Sequence, residues 1–159
     1  MCYYLVMTTN SAPLVEKAES TFTLQYAVSA SIAAPTSVIW QLLTNATDFP
    51  TWNSTVQKIE GNIVLGNTLR LKTPLAPGRT FTLKVSTLLP QQKMVWQDGF
   101  YPFFRGTRTF NLHEQADGST LFTMSETFTG IMLPLIKGSL PDFRESFAQY
   151  AIDLKNAAE

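Results

Sequence analysis

The chain has 159 residues, of which 45% are hydrophobic and 15% are charged, and its 12 basic residues balance 12 acidic ones. This length and composition fit one globular domain with a sizeable core and exclude an intrinsically disordered chain. Because no run of like charge stands out, the sequence indicates neither nucleic-acid binding nor an electrostatic membrane surface. Eleven Phe, five Tyr and three Trp supply a large aromatic volume for the core.

The start of the chain, residues 1–13, carries a short apolar stretch and lacks the basic residues that open a signal peptide. No stretch approaches the roughly 18 apolar residues of a membrane span, and the single Cys2 excludes an internal disulfide. We therefore expect a cytoplasmic protein. Residues 1–20 show no lasting period and are predicted to be an N-terminal extension, with Met7 as an alternative start, ahead of a single ligand-binding domain at 21–159.

Between residues 22 and 32 apolar and small polar side chains alternate, which predicts a half-buried strand. Pro35 suits the first turn of a helix, because its missing N–H costs nothing there, and apolar residues then recur at helical spacing to about residue 45. Asp48-Phe49-Pro50 ends this helix, and residues 51–53 form a second short turn or helix.

Short strands separated by turn residues follow at 55–61, 67–74, 79–89 and 93–98. Pro77-Gly78 and Pro90-Gln91-Gln92 mark two of the turns. Consecutive strands joined by short turns imply an antiparallel meander, and together with the hairpin that comes next the sheet has about seven strands.

Residues 103–130 predict a hairpin whose turn contains Asp117-Gly118. Residues directly opposite in a hairpin share a face. Because the alternating apolar residues of both strands are even-numbered, the numbers of opposite residues must sum to an even value if the two apolar faces are to match. A loop closed by Gln115 and Ser119 satisfies this condition and places Arg108 opposite Glu126, in the middle of an otherwise apolar surface.

The chain closes with apolar residues at helical spacing from about residue 143 to residue 158, which predicts a long amphipathic helix. Ser139 is the expected N-cap, with Asp142 in the capping-box position. Residues 132–136 form an earlier helical piece, separated from the long helix by a kink at 138–141. One amphipathic helix must then cover the apolar face of the sheet.

The order of these elements and several short motifs resemble the SRPBCC, or START-like, superfamily. The motifs are residues 30–35 leading into Val38-Ile39-Trp40, residues 48–53, Pro77-Gly78-Arg79, Val95-Trp96, residues 126–130 and residues 154–159. The resemblance covers about residues 22–159 and is strongest to the polyketide cyclase/dehydrase-like branch, itself similar to the birch-pollen-allergen fold.

The resemblance implies an α+β helix-grip fold, in which a curved antiparallel sheet wraps around the C-terminal helix and two short helices follow the first strand. It also implies a hydrophobic cavity that binds lipids, sterols, polyketides or other apolar small molecules. It implies no shared catalytic residue.

The candidate ligand-binding set combines one charged pair with the apolar residues expected to face the same space. Arg108 and Glu126 either anchor the polar end of a ligand or satisfy each other as a structural ion pair, and both can hold at once. The apolar candidates either line the cavity or form the core: Trp40, Trp52, Phe81, Trp96, Phe110, Phe122, Met124, Phe128, Phe143, Phe147 and Tyr150. Residues 100–104 form either a rim or a hydrophobic turn.

The sequence offers little for other chemistry. His113, the single histidine, falls on the outward face near the turn, and with one His and one Cys no His/Cys metal cluster or catalytic triad can be assembled. There is no Gly-rich phosphate loop, and we expect no cofactor and no metal.

Two function classes remain, and the oligomeric state is open. The first is a module that binds or transports an apolar small molecule, with Arg108 and Glu126 meeting its polar group. The second is a cyclase or dehydratase with Glu126 as acid or base, ranked lower because the facing Arg108 would oppose the raised pKa that such a role needs.

Overall fold

The structure, a computed structural model, describes residues 11–159, in which an antiparallel sheet curves around one long helix. The strands are β1 (Leu14–Glu19), β2 (Thr23–Ile32), β3 (Lys58–Glu60), β4 (Thr68–Lys72), β5 (Phe81–Leu89), β6 (Lys93–Phe100), β7 (Phe104–Glu114) and β8 (Thr120–Thr129). The helices are α1 (Thr36–Thr44), α2 (Phe49–Trp52), α3 (Leu133–Ile136) and α4 (Arg144–Ala158), with 3₁₀ turns at Ala46–Asp48 and Lys137–Ser139.

The eight strands form one sheet in the order β1-β2-β8-β7-β6-β5-β4-β3, and every neighbouring pair is antiparallel. The pairing of β2 with β8 brings together strands that are distant in sequence, because β3 to β7 all lie between them along the chain. A register shift between Val85 and Thr87 on β5 bends the sheet, as β-bulges do. This arrangement confirms the predicted helix-grip fold.

The strand β1 lies within the predicted N-terminal extension, residues 1–20, where the sequence analysis identified no strand. Residues 14–19 pair along their full length with β2. The pattern gave no signal because β1 lies at the edge of the sheet and five of its six side chains are exposed, Val15 alone being half-buried. Cys2 and Met7 lie outside the described residues.

The concave face of the sheet is apolar and is covered by α4. Every second residue of β2 from Leu24 to Ile32 is buried on this face, and the matching positions of β6, β7 and β8 continue it. The buried residues of α4 form one stripe along the helix: Phe147, Tyr150, Ala151 and Leu154. The predicted amphipathic closing helix is therefore confirmed.

The helix α4 begins later than the sequence analysis expected. The Ser139 hydroxyl donates to the carbonyl of Ile136 within the preceding 3₁₀ turn, so it does not cap α4. Asp142 instead accepts a hydrogen bond from the backbone N–H of Arg144, at 3.0 Å, where α4 starts. The segment 140–143 between the two helical pieces consequently has no regular structure.

Candidate functional site

Arg108 on β7 and Glu126 on β8 are directly opposite each other, as the hairpin register predicted. Gln115 N–H donates to the carbonyl of Ser119 at 2.8 Å, which closes the turn in the predicted way. The Nε of Arg108 lies 2.7 Å from Oε2 of Glu126, and the two side chains are only 16% and 12% exposed. The pair is therefore a largely buried, hydrogen-bonded ion pair on the concave face.

The guanidinium of Arg108 sits between the sheet and α4. Its central carbon lies 5.3 Å from the centre of the Phe147 ring, within the range of a cation–π contact. Among residues 11–159, the bond from Nε to Glu126 is the one hydrogen bond that the Arg108 side chain makes. Its two terminal nitrogens can therefore donate to another acceptor.

Asp98 on β6 adds a second carboxylate to this site, and the sequence analysis did not identify it. It lies opposite Gly106, two residues from Arg108 on the same face, and its Oδ1 accepts a hydrogen bond from the Gly106 N–H at 2.9 Å. A Cβ at Gly106 would collide with Asp98 Oδ1 and lie 3.4 Å from Glu126 Oε1. The two carboxylates thus flank a residue that has no side chain.

Burial raises the pKa of both carboxyl groups. For Glu126 the loss of solvent outweighs the opposing charge and hydrogen bond of Arg108, and the charge of Asp98 raises the pKa further. For Asp98 burial likewise outweighs the Gly106 N–H bond and the charges of Arg108 and Arg79. Arg108 therefore lowers the pKa of Glu126 by less than burial raises it. Both carboxyl groups hold a proton more readily than free carboxyl groups do.

The space between the sheet and α4 contains two small lobes. The larger, about 60 Å³, is lined by Asp98, Arg108, Glu126, Leu71, Thr73, Phe81, Leu83, Phe128 and Phe143. The smaller, about 30 Å³, is lined by Arg108, Tyr150, Thr55, Val56, Leu71, Thr73, Leu75, Phe143, Ser146 and Phe147. Four residues border both lobes, Leu71, Thr73, Arg108 and Phe143, so the guanidinium and the Phe143 ring are two of the groups at the junction.

A surface groove of about 330 Å³ adjoins the smaller lobe. The groove and the lobe share Thr55, Leu75 and Ser146, so the groove reaches the lobe between the β4–β5 loop and the first turns of α4. The groove, the smaller lobe and the larger lobe are therefore neighbouring spaces between the surface and the ion pair, divided by side chains that line two of them at once.

The predicted site residues fall into two groups. Seven line the lobes: Phe81, Arg108, Glu126, Phe128, Phe143, Phe147 and Tyr150. Six pack in or against the core away from the lobes: Trp40, Trp52, Trp96, Phe110, Phe122 and Met124. The sequence places all of these residues on the concave face of the sheet or on the helices that cover it. It does not show which of their side chains border empty space.

Several buried polar atoms in this aromatic layer have no hydrogen-bond partner among the described residues. They include the hydroxyl of Tyr150 and the indole N–H groups of Trp52 and Trp96. Burial raises the pKa of the Tyr150 hydroxyl, which the nearby charge of Arg108 offsets only in part. Since buried donors are normally paired, the Tyr150 hydroxyl is a second polar group, beside Arg108, that is available to a ligand.

Other parts of the described chain offer less. A larger open depression, about 620 Å³, lies between α1 and the loops at 45–48 and 62–64, away from the ion pair. His113 is exposed, as predicted. Within residues 11–159 no group of three His, Cys, Asp or Glu side chains could hold a metal ion, and no helix is long and apolar enough to cross a membrane.

The model of the family described as "Polyketide cyclase / dehydrase and lipid transport" matches residues 23–155. The chain belongs to this family. The match begins at the first residue of β2 and ends within α4, so it includes both sides of the lobes and the ion pair. No curated protein matches the chain.

Solved structures share the fold at low sequence identity. A START superfamily protein from Mycobacterium smegmatis is 16% identical with a TM-score of 0.61, covering 84% of this chain and 96% of that one. Truncated norcoclaurine synthase from Thalictrum flavum is 16% identical with a TM-score of 0.64, covering 87% and 95%. The di-domain ARO/CYC BexL from the BE-7585A biosynthetic pathway is 14% identical with a TM-score of 0.64, covering 88% and 51%. At such identities the likeness shows the fold alone.

The raised pKa of Asp98 predicts a pH-dependent effect of Asp98→Asn. As pH rises above the ordinary value of 3.8, the unfolded state ionises first, so the wild type loses stability until the folded carboxyl ionises as well. The variant keeps an acceptor for the Gly106 N–H. Between pH 3.8 and the raised pKa of the folded carboxyl, its free energy of unfolding should increase relative to that of the wild type by about 1.4 kcal/mol per pH unit. Urea unfolding at pH 4 and pH 7 measures the difference.

Asp117→Asn is the control of opposite sign, because hydrogen bonds from Ser119 lower the pKa of this exposed turn carboxyl. Its stability relative to wild type should fall as pH rises toward the ordinary value of 3.8 and should change little between pH 4 and pH 7. A difference for Asp98→Asn that stays constant or falls with pH would contradict a raised pKa at that position.

Proposed function

We propose that this protein binds an apolar small molecule between the sheet and α4, and that Arg108, Glu126 and Tyr150 meet an oxygen-bearing polar group of that molecule. The observation that carries the proposal is the buried ion pair at the junction of two apolar lobes, with the terminal nitrogens of Arg108 free of other acceptors among the described residues. Apolar pockets commonly orient ligands through a few polar groups of this kind.

The donors at the junction favour an acceptor oxygen on the ligand. Arg108 contributes guanidinium N–H groups. Tyr150 lines the same lobe, and its buried hydroxyl has no partner among residues 11–159. A carbonyl, phenolate or carboxylate oxygen placed there would satisfy both groups. Asp98 and Glu126 on the other side can accept a hydrogen bond from a ligand hydroxyl, because both carboxylates line the larger lobe.

Binding requires Phe143 to move, because the two lobes are small beside the roughly 300–1,000 Å³ of typical ligand pockets. The Phe143 ring packs against Tyr26, Phe128 and Phe147 at centroid distances of 5.4, 5.6 and 5.9 Å. Phe143 ends the irregular segment before α4, so its ring can rotate without unfolding a helix. Displacing the ring would join the lobes to each other.

Tyr150→Phe tests the polar contact with little change in shape. We expect the variant to bind naphthoate about tenfold more weakly or worse, since a hydrogen bond to a charged group contributes about 1.5–3 kcal/mol. Methylnaphthalene, which has the same ring system without the carboxylate, should bind both proteins equally in isothermal titration calorimetry. The free energy of unfolding should not fall, because the hydroxyl is buried without a partner.

Tyr26→Phe is the matched control, because Tyr26 is buried under α4 and lines neither lobe. Equal weakening of naphthoate and methylnaphthalene by Tyr150→Phe would show that the residue acts by shape. No binding of either compound to the wild type would overturn the proposed site for this size of ligand.

Phe143→Ala should increase affinity while decreasing stability. Truncation removes the largest apolar side chain that borders both lobes, so methylnaphthalene should bind about tenfold more tightly because no ring contacts need to be broken first. The same change should lower the free energy of unfolding by about 2–4 kcal/mol. Phe104→Ala is the control, since that ring stacks on Phe128 at 5.9 Å but lines neither lobe. Similar affinity gains in both variants would exclude a gating role for Phe143.

A second candidate function, dehydration by acid–base catalysis, is favoured by the two flanking carboxyl groups whose pKa values are raised. In a β-hydroxy ketone, Glu126 would remove a proton next to the carbonyl while protonated Asp98 donates to the leaving hydroxyl, which gives an enone and water. Diacetone alcohol is a small test substrate, and its enone product is detected by ultraviolet absorbance. Glu126→Gln should abolish product formation and Asp117→Asn should not. Absence of enone above the buffer rate would remove this candidate.

A further inference from the structure

Two loops at one end of the sheet expose large apolar side chains. The β6–β7 turn, residues 99–104, reads GFYPFF, and the segment after β8, residues 130–136, reads GIMLPLI, so neither contains a charged residue. We call the exposed members of both segments the apolar tip: Phe100, Tyr101, Phe103, Ile131, Met132 and Leu135. Phe100 is 82% exposed, Leu135 77% and Tyr101 74%.

The two loops form one surface because backbone hydrogen bonds join them. Ile131 N–H donates to the carbonyl of Pro102 at 3.1 Å, and Met132 N–H donates to that of Phe103 at 3.0 Å. Gly130 permits this approach, since a Cβ there would collide with the carbonyl of Phe103. The backbone groups that make these bonds are satisfied, and what the tip presents to its surroundings is side-chain hydrocarbon.

We propose that the apolar tip inserts into the surface of a lipid bilayer. Contiguous exposed apolar surface marks a site of interaction, and aromatic rings with few charges suit the membrane interface. The first residue after each segment is a cation, Arg105 after the turn and Lys137 after α3. Lys137 pairs with Glu19 at 2.7 Å, which leaves Arg105 as the one rim cation without a salt bridge among the described residues. The contact is therefore mainly apolar, with a small preference for anionic headgroups.

The composition of the tip favours a bilayer over a second copy of the chain. Protein interfaces carry about ten direct hydrogen bonds, whereas the two segments of the tip contain no charged or amide side chain. The backbone N–H groups of Ile131 and Met132 are already bonded within the tip. A fluid bilayer needs no matching polar groups, and it can also fill the open depression of about 540 Å³ that Phe100, Tyr101 and Phe103 line. The balanced net charge of the chain is compatible with this contact, since it does not depend on long-range attraction.

Apolar contacts also run from the tip to the interior. Phe104, at the base of the turn, stacks on Phe128 at 5.9 Å, and Phe128 lines the larger lobe and lies 5.6 Å from Phe143. These ring contacts connect the tip with the wall of the larger lobe. The docking proposal does not depend on this continuity, because insertion can be measured without any ligand.

Cosedimentation with vesicles tests the proposal. Wild-type protein should sediment with phosphatidylcholine vesicles, and addition of phosphatidylglycerol should increase its partitioning by up to about fivefold, as expected for a single rim cation. The double variant Phe100→Ser/Phe103→Ser should partition at least about tenfold more weakly, since each ring loses the benefit of burial in hydrocarbon. Leu135→Ser, on the other loop, should weaken binding in the same direction.

Val64→Ser/Leu65→Ser is the matched control, because these side chains are 51% and 60% exposed in the β3–β4 turn at the other end of the strands. It should bind vesicles as the wild type does, and far-ultraviolet circular dichroism should show that all variants are folded. Absence of wild-type protein from the vesicle pellet would overturn the proposal. So would unchanged partitioning of the tip variants, or a wild-type dimer in sedimentation velocity that the tip variants convert to monomer.

Discussion

The ion pair between Arg108 and Glu126 is the constraint on which the arrangement of the interior depends. A buried charge without a partner costs several kcal/mol, whereas a paired and hydrogen-bonded one is tolerated. This pair can form only if β7 and β8 align in one register, and a slip of one residue would place one of the charges on the opposite face. The register of β6 on β7 places Asp98 opposite Gly106 and beside the pair, so two alignments that share β7 position all three charged groups.

The interior around this pair is filled mainly by aromatic rings of the protein itself. Tyr150 of α4 stacks on Phe122 at 6.3 Å and lies edge-on to Trp52 at 6.0 Å, and Phe143 and Phe147 continue the layer toward the start of the helix. Such packing stabilises the grip of the sheet on α4 but leaves little preformed space. Under the proposed function, a ligand must therefore be compact or must displace one of these rings.

The sequence predicted the β7–β8 hairpin well because two independent signals coincide there, the parity of the apolar positions and the turn chemistry of residues 115–119. It also predicted most of the strands and the closing helix from their periods. The edge strand β1 was missed because an exposed edge carries no alternation. The start of α4 was wrong because Ser139 serves the preceding turn, a choice that depends on tertiary contacts.

The site was predictable in part for the same kind of reason. Arg108 and Glu126 stood out as charges within apolar alternation. Asp98 also occupies an alternating position of a strand, because it follows Met94 and Trp96 on the same face of β6. It was missed because it comes at the end of the apolar series, where Asp is typical of a turn. The sizes of the lobes could not be predicted, because empty volume depends on how side chains interlock rather than on which face they occupy.

The two edges of the sheet bear on the association state of the molecule. One edge is β1, which displays Glu16, Lys17 and Glu19, and the other is β3, three residues long, with a salt bridge between Lys58 and Glu60 at 2.8 Å. Charges and short length are the features by which natural sheets avoid pairing edge to edge with other chains. Both edges of the sheet within residues 11–159 therefore oppose growth into open-ended strand assemblies, in a protein that is rich in aromatic residues and carries an exposed apolar tip.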